Sequence, residues 1–244
     1  MFFVLHYYCI LVAPIMLLNF KNGLEKIMDF TKLSTYNYHL PEELIAQSPE
    51  EKRDNSRLLT INKENGCLFK LDLSKVMWSK GNNNERLRIA KLVRDGETVI
   101  DMFAGIGYFS IPIGVHAKAH EVISIEINPN SYHFLCENIK LNKLDNITPI
   151  LGDCMIETPK FKADRIIMGY VKTTHHYLKV AIDSLNEGGI LHYHETVPEK
   201  LMKTRPIERI IAQADKRDVE LLKINKIKKY APGVEHVVVD VKIN

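Results

Sequence analysis

After Gly66 the chain alternates short apolar runs, rich in valine and isoleucine, with segments of helical periodicity. The runs read TVIDMFA, EVISIEI, ITPILGD, RIIMGYV, GGILHYHETV, VELLKINKIKKY and EHVVVDVKI. Strands that alternate with helices predict a parallel sheet covered on both faces. The last two runs have no convincing helix between them, so we expect an antiparallel hairpin turned at Ala231-Pro232-Gly233. The pattern predicts an α/β fold with a seven-stranded, mostly parallel sheet.

The beginning of the chain does not follow this pattern. Residues 2–18, FFVLHYYCILVAPIMLL, are almost wholly apolar, which suggests a membrane anchor or a signal peptide. The run is short for a spanning helix, lacks a preceding basic region and contains Pro14. We favour the alternatives, which are a mis-called start with Met28 as the real initiator, or an apolar segment that is neither an anchor nor a signal. The predicted organisation is an apolar leader over 1–28, a short segment over 29–66 and a catalytic domain over 67–244.

The composition is that of an ordinary soluble globular protein, with 45% apolar and 26% charged residues among 244. The net charge of +3 does not by itself indicate nucleic acid, which would require a local basic patch. The four cysteines are far apart in the sequence and form no C-x-x-C pair, which argues against a zinc site or a disulfide framework. We therefore expect a cytoplasmic protein without a metal or a stable membrane association, and a monomer.

The strongest local signal is DMFAGIGYF, residues 101–109, between a predicted strand and helix. Gly105 and Gly107 would let the backbone approach a ligand closely, although a tight turn without a ligand is the alternative. Glu126 closes the next strand, about twenty residues on, where a carboxylate can accept both ribose hydroxyls. Asp153 closes the strand after that, where it can accept a hydrogen bond from an adenine amino group. Solvated acids at strand ends remain the alternative for both.

A dinucleotide site is less consistent with these residues. Ser110 occupies the place of the third glycine in G-x-G-x-x-G, so the pyrophosphate fingerprint is incomplete. Asp101 and Asp153 would have no role in that interpretation. An adenosine that carries an amino acid and no phosphate suits them better, so the residues favour S-adenosylmethionine.

Over residues 67–244 the chain resembles the family that contains the tRNA guanine-37 N1-methyltransferase and the wybutosine-pathway aminocarboxypropyltransferase. The motifs that carry the resemblance are DMFAGIGYFSIP, IEINP, ENIKLNKL, HYHETV and KKYAPGVEHVVVDV. The resemblance implies the Rossmann-like class I methyltransferase fold, with S-adenosylmethionine as cofactor and tRNA as substrate.

Two stretches distinguish the branches of this family. The methyltransferase branch has a Ser-Pro-Arg-type segment before the glycine turn and an Asn-Leu-Pro-type motif later, whereas this chain has WSKGN at 78–82 and MGY at 168–170. With HYHE at 192–195, both resemble the archaeal aminocarboxypropyltransferase. That branch transfers the 3-amino-3-carboxypropyl group to a wyosine-type guanosine at position 37 of tRNA(Phe) and releases methylthioadenosine. A methyltransferase, or an inactive module that only binds ligand or RNA, remains the alternative.

The resemblance also implies roles for individual residues. Ser79 and Arg86 match positions that hold the cofactor, and an arginine suits a carboxylate through paired hydrogen bonds. The full set expected at the cofactor is Ser79, Arg86, Asp101, Phe103, Gly105, Gly107, Glu126, Asp153, Cys154 and Gly169. The catalytic candidates are His194, Glu195 and Tyr170, with His192 as a further possible base.

Residues 36–66 resemble a different family, the queuosine-pathway tRNA ribosyltransferase-isomerase, through LPEELIAQ and KRDNSRLL. None of that family's later catalytic domain follows, so its activity is not carried over. We expect one short strand at 58–61 and a hairpin returning through 67–71. Because this segment replaces the usual N-terminal region, we expect weak tRNA binding. Candidate phosphate contacts are Lys200, Lys203, Arg205, Arg209, Lys223, Lys226, Lys228 and Lys229.

Overall fold

A computed structural model of the protein describes residues 59–78 and 80–244. In these residues the strands are β1 Leu59–Glu64, β2 Cys67–Asp72, β3 Thr98–Asp101, β4 Glu121–Glu126, β5 Ile147–Leu151, β6 Ala163–Met168, β7 Leu185–Pro198, β8 Val219–Ala231 and β9 Val234–Ile243. The helices are α1 Asn83–Leu92, α2 Ser110–His116, α3 Pro129–Leu141, α4 Cys154–Glu157, α5 Leu178–Ser184 and α6 Arg205–Gln213. Short 3-10 turns lie at Lys80–Asn82, Thr158–Lys160, Thr174–Tyr177 and Glu199–Leu201.

Strands β3 to β9 form one seven-stranded sheet in the order β5-β4-β3-β6-β7-β9-β8. The pairs from β5 to β7 are parallel, whereas β9 runs antiparallel to both β7 and β8. Strand β8 ends at Ala231 and β9 begins at Val234, so the predicted hairpin turn is confirmed. The predicted α/β sheet with a C-terminal antiparallel hairpin is confirmed as well.

The central strands are apolar on both faces because helices cover both sides of the sheet. Val99 and Val122 belong to a core cluster that includes α1, α2 and α3. Their neighbours Ile100 and Ile123 belong to a second cluster with α5 and α6. Adjacent residues of a strand point to opposite faces, so each strand contributes to both cores. This is why the strands appear in the sequence as continuous apolar runs rather than as alternating ones.

Strands β1 and β2 form a separate antiparallel hairpin, in agreement with the prediction from the sequence. Helix α3 holds β2 through two asparagines. The Asn142 side chain bonds both the N–H and the C=O of Leu68, at 2.8 and 2.7 Å, and Asn138 Oδ1 accepts from Lys70 N. These side chains satisfy strand groups that would otherwise be unpaired. The hairpin contains residues from both sides of residue 66, and the domain division there stays a prediction.

A row of buried polar side chains connects the neighbouring strands β6, β7 and β9. Arg165 donates to His192 Nε2 at 2.7 Å, so the opposite nitrogen, Nδ1–H, donates to Asp240 Oδ1 at 2.6 Å. Arg88 also donates to Asp240, at 2.6 Å, and is held by Glu85. Burial alone would raise the pKa of Asp240, but the hydrogen bonds from His192 and Arg88 hold it well below its ordinary value. Asp240 is therefore ionised, and its carboxylate on β9 connects α1 with β7.

Within residues 59–78 and 80–244, none of the helices has both the length and the hydropathy that a bilayer-spanning helix needs. The apolar leader and its alternatives concern residues 1–28, which lie outside the described residues.

We expect Asp240→Asn to lower the free energy of unfolding by about 3 kcal/mol at pH 7, because it removes one partner from a buried ionic network. The carboxylate stabilises the fold above its unfolded-state pKa of about 4, and this contribution is lost as pH falls towards the lower folded-state pKa. Urea unfolding at pH 7 and pH 3 should therefore show a smaller difference between variant and wild type at pH 3. Asp183→Asn, which removes an exposed partner of Lys179, should change little at either pH.

Candidate active site

The parallel strands end at a common edge where the chain reverses its direction across the sheet. From β3 the chain adds β4 and β5 on one side and then returns to place β6 on the other. Ligands bind at such switch points, outside the carboxyl ends of the strands. A cavity of about 870 Å³ lies there. Its lining includes eight of the predicted site residues: Arg86, Phe103, Gly105, Glu126, Asp153, Cys154, Gly169 and Tyr170.

The glycine turn after β3 depends on backbone conformations that favour glycine. Gly105 has φ +60° and Gly107 has φ +96°. A Cβ on Gly105 would lie 2.7 Å from the Tyr108 ring, and one on Gly107 would lie 2.6 Å from Ile111. Gly105 forms part of the cavity wall, whereas Gly107 packs the turn against α2. The two predicted glycines therefore have different roles.

Asp101 lies beneath this turn and does not line the cavity. Its side chain is fully buried, and it accepts hydrogen bonds from Ser110 Oγ at 2.8 Å and from Phe103 N at 3.4 Å. Ser124 Oγ donates in turn to Ser110 Oγ. Burial raises the pKa of Asp101 to about 7, although these hydrogen bonds act to lower it. Asp101 thus supports the turn from below, which differs from the direct cofactor contact that the sequence predicts for it.

Glu126 connects the turn after β3 with the loop after β4. One carboxylate oxygen accepts from Gly105 N at 2.7 Å and the other from Asn128 N at 2.8 Å. Asn128 itself caps α3 by accepting from Asn130 N, with Pro129 at the first helical position. Each carboxylate oxygen has a second lone pair. Glu126 is therefore a fixed acceptor at the cavity with capacity for further hydrogen bonds.

Asp153 and Cys154 form the next part of the wall, after β5. Asp153 caps the short helix α4 by accepting from Met155 N at 2.9 Å. Burial, together with the charge of Asp153, raises the pKa of the Cys154 thiol to about 12. The thiol is therefore protonated at neutral pH and contributes an uncharged surface beside the Asp153 carboxylate.

Arg86 enters the cavity wall from α1. Its guanidinium lies 5.0 Å from the Trp78 ring centroid and 4.7 Å from that of Tyr108. Tyr108 donates a hydrogen bond to Met77 O, and burial raises the pKa of Tyr108 to about 12. Ser79, predicted to act with Arg86, lies outside the described residues.

Aromatic rings form the wall near β6. Tyr170 is 43% exposed and stacks on Phe103, with ring centroids 5.4 Å apart and an interplanar angle of 28°. Tyr177 forms an edge-on contact with Phe103, with ring centroids 5.1 Å apart. A Cβ on Gly169 would lie 2.6 Å from the Phe109 ring, so only a glycine lets this ring pack so closely against the end of β6. Within the RIIMGYV segment, Gly169 and Tyr170 therefore contribute a small residue and a partly exposed ring to this wall.

The predicted bases of the HYHE segment do not line the cavity. Glu195 is buried and accepts from Tyr193 OH, Arg205 and Arg209 at 2.7–2.9 Å. His192 belongs to the Asp240 network. His194 is 1% exposed, and its Nδ1 lies 3.1 Å from Nε2 of His236. Of the three predicted catalytic residues, Tyr170 lines the cavity, whereas Glu195 and His194 do not.

The cavity also contains residues that the sequence did not indicate as a site. His236 and Tyr177 line it, and so does Asn128. Burial and the charge of Lys228 lower the pKa of His236 to about 4, so its ring is neutral at pH 7. The Asn-Pro helix start could have indicated Asn128. His236 has no such signal, because it lies on a strand far from the glycine turn in sequence.

The candidate phosphate contacts fall into different environments. Lys226 pairs with Glu235 at 2.7 Å, whereas Lys200 and Lys203 are exposed. Arg205 and Arg209 both bind Glu195, and Lys228 lines the cavity. Only part of the predicted set therefore presents its charge to solvent. In the part of the chain that the structure describes, no cluster of three or more His, Cys, Asp or Glu side chains could hold a metal ion.

Two family models match the chain. The model described as "TRM5/TYW2 methyltransferase domain" matches residues 60–222, and the one described as "Queuosine biosynthesis protein" matches residues 33–78. Both resemblances stated from the sequence are thus confirmed. The two matches overlap at the β1–β2 hairpin and the segment that follows it.

Individual relatives agree with the longer match. The tRNA(Phe) (4-demethylwyosine(37)-C(7)) aminocarboxypropyltransferase of Methanocaldococcus jannaschii is 56% identical over 75% of this chain and 74% of its own length. The tRNA (guanine(37)-N(1))-methyltransferase Trm5b of Pyrococcus abyssi is 42% identical over 76% of this chain and 56% of its own length. The crystal structure of M. jannaschii TYW2 in complex with AdoMet is 52% identical, covering 78% of this chain and 88% of that one with a TM-score of 0.73. This chain belongs to the TRM5/TYW2 methyltransferase domain family.

Proposed function

We propose that the protein transfers the 3-amino-3-carboxypropyl group of S-adenosylmethionine to a ring carbon of a wyosine-type guanosine in tRNA(Phe). One observation carries the proposal. The cavity presents fixed acceptors for a nucleoside, Glu126 and Asp153, together with an arginine, Arg86, suited to an amino acid carboxylate. The 56% identical relative is named for this transfer.

The cavity fits S-adenosylmethionine in size and in chemistry. Glu126 is held by two backbone N–H groups and can still accept the ribose hydroxyls. Asp153 and the protonated Cys154 follow β5, the strand next to β4, and would flank the adenine. Gly105 and Gly169 let the Tyr108 and Phe109 rings pack closely against the backbone at the cavity wall, where a Cβ would clash with these rings. These residues would hold the adenosine in one orientation at the switch point.

The chain's own residues would act mainly by positioning. When bound, S-adenosylmethionine supplies a carbon that its sulfonium makes electrophilic, and the transfer leaves methylthioadenosine. Arg86 would hold the carboxylate of the arm, which selects the carbon that faces the acceptor. Tyr170, stacked on Phe103 and partly exposed, would stack against the acceptor base. Alignment of this kind is worth about 7–11 kcal/mol of the barrier.

The acceptor carbon must lose a proton when its new C–C bond forms. We place the acceptor of this proton at His236, which is neutral and lines the cavity. His194, a sequence-predicted catalytic residue, would orient His236 from behind, at 3.1 Å. Glu195 would hold α6 against β7 through Arg205 and Arg209. A weak base suffices here, because restoring the aromatic ring drives the proton loss.

Recognition of tRNA would use the lysines of β8 and of the segment before α6. Lys223 and Lys229 are exposed on β8. Lys200 and Lys203 are exposed in the segment before α6. Phosphate contacts position an RNA without selecting its sequence. Selection of the modified base would then fall to the aromatic wall at Tyr170.

Methyl transfer to guanine-37 is the second candidate function, favoured by the 42% identity to the methyltransferase of P. abyssi. The MGY segment argues against it. A methyltransferase of this type would orient the ring N–H of guanine with an amide and a proline, whereas Gly169 and Tyr170 offer neither group.

We expect a label on the carboxyl carbon of S-adenosylmethionine, and not one on its methyl group, to enter tRNA from cells blocked at the preceding wybutosine step. Methylthioadenosine should form in equal amount. Scintillation counting of purified tRNA, with chromatography of the nucleoside product, provides the measurement. Methyl label in a parallel sample of tRNA with unmodified guanosine-37 would establish the second candidate instead, and absence of label from both tRNAs would identify a binding module without turnover.

Glu126→Ala should weaken S-adenosylmethionine binding about 10- to 100-fold, because it removes a charged acceptor and leaves Gly105 N unpaired. Isothermal titration calorimetry measures the change. Glu121→Ala is the matched control, since it removes the same side chain from the opposite end of β4, away from the cavity. Equal losses in both variants would contradict the assignment.

A further inference from the structure

Glu64, the last residue of β1, forms a buried ion pair with Arg86. The NH1 group of Arg86 donates to both oxygens of the Glu64 carboxylate, each at 3.0 Å. Glu64 is 8% exposed and Arg86 is 2% exposed. Removing one member of a buried ion pair is strongly destabilising because the other charge is left without compensation, so this pair constrains where the guanidinium can lie.

Two rings constrain the same guanidinium in a second way. Trp78 and Tyr108 lie 5.0 and 4.7 Å from it, and their own centroids are 5.8 Å apart. Contacts with ring faces favour one plane for the guanidinium. The Glu64 carboxylate then sets its rotation within that plane. The direction and the plane of the Arg86 guanidinium are therefore constrained by three residues: Glu64 from β1, Trp78 from the segment after β2 and Tyr108 from the glycine turn.

We propose that Glu64 is a positioning residue that aims Arg86 at the carboxylate of the aminocarboxypropyl arm. The inference rests on the proposed function for the identity of the arm. Glu64 does not line the cavity, whereas Arg86 does. Glu64 therefore acts through Arg86 and has no contact with the reacting atoms.

Glu64 belongs to a part of the chain that the sequence did not assign to the catalytic domain. It lies within residues 33–78, the part matched by the queuosine model, and before the predicted start of the catalytic domain at residue 67. Glu64 belongs to the hairpin that Asn138 and Asn142 hold against α3. The hairpin would thereby support the cofactor site, and a truncated chain that begins at residue 67 would lose the ion pair between Glu64 and Arg86.

The test compares two ligands that differ in the arm. 5′-Methylthioadenosine has the adenosine and sulfur of S-adenosylmethionine but lacks the amino and carboxyl groups. In the full chain, Glu64→Gln should weaken S-adenosylmethionine binding about 10- to 100-fold, as expected for a lost charge-assisted contact. Binding of 5′-methylthioadenosine should stay within about twofold. Titration calorimetry measures both affinities, and the single tryptophan, Trp78, gives a fluorescence signal beside Arg86.

Matched variants separate positioning from support of the fold. Glu64→Asp keeps the charge and should recover part of the lost affinity. Glu137→Gln removes the partner of Lys70 on the same hairpin and should leave both affinities unchanged. In an Arg86→Ala background, Glu64→Gln should cause no further loss, because the pair acts as a unit.

Two results would overturn the proposal. Equal weakening of both ligands by Glu64→Gln would indicate structural support alone, and unchanged S-adenosylmethionine binding would show that Glu64 does not position Arg86. The label experiment on the wild-type protein judges the proposed transfer separately, since the ligand comparison depends only on binding of the arm.

Discussion

The site depends on the hydrogen bonds that the Glu126 carboxylate accepts from Gly105 N and Asn128 N. They connect the turn after β3 with the start of α3, two segments that no strand pairing joins. Because Asn128 also caps α3, the same carboxylate is coupled to the helix that holds the β1–β2 hairpin. One acid at a strand end thus connects two segments of the cavity wall.

Buried charged groups have one role away from the cavity and another at the cavity wall. Asp240, His192 and Arg165 join strands and α1 away from the cavity, where their polar groups are fully paired. Glu64 and Arg86 form a pair of which one member reaches the cavity. A buried ion pair contributes little net stability but resists reorientation. Such a pair is suited to hold an arginine in one direction for a ligand.

The sheet, its C-terminal hairpin and eight of the residues that line the cavity could be predicted from the sequence. Apolar runs and strand-end residues such as Glu126 and Asp153 follow from local pattern, since the ends of parallel strands meet at one edge. The roles of His194 and Glu195 could not be predicted in this way. Both lie in an apolar strand, and neighbouring positions of a strand point to opposite faces. Which face meets the cavity depends on how β7 pairs with β9.

The sequence by itself determined the class of fold, the glycine turn and the acids that follow it, because these depend on residue type and short spacing. Only the tertiary structure decided that Asp101 supports the turn from below, that His236 lines the cavity and that Glu64 reaches Arg86. Each of these depends on segments far apart in the chain. Packing of β1, α1 and β9 around the sheet sets those distances, and no local pattern records them.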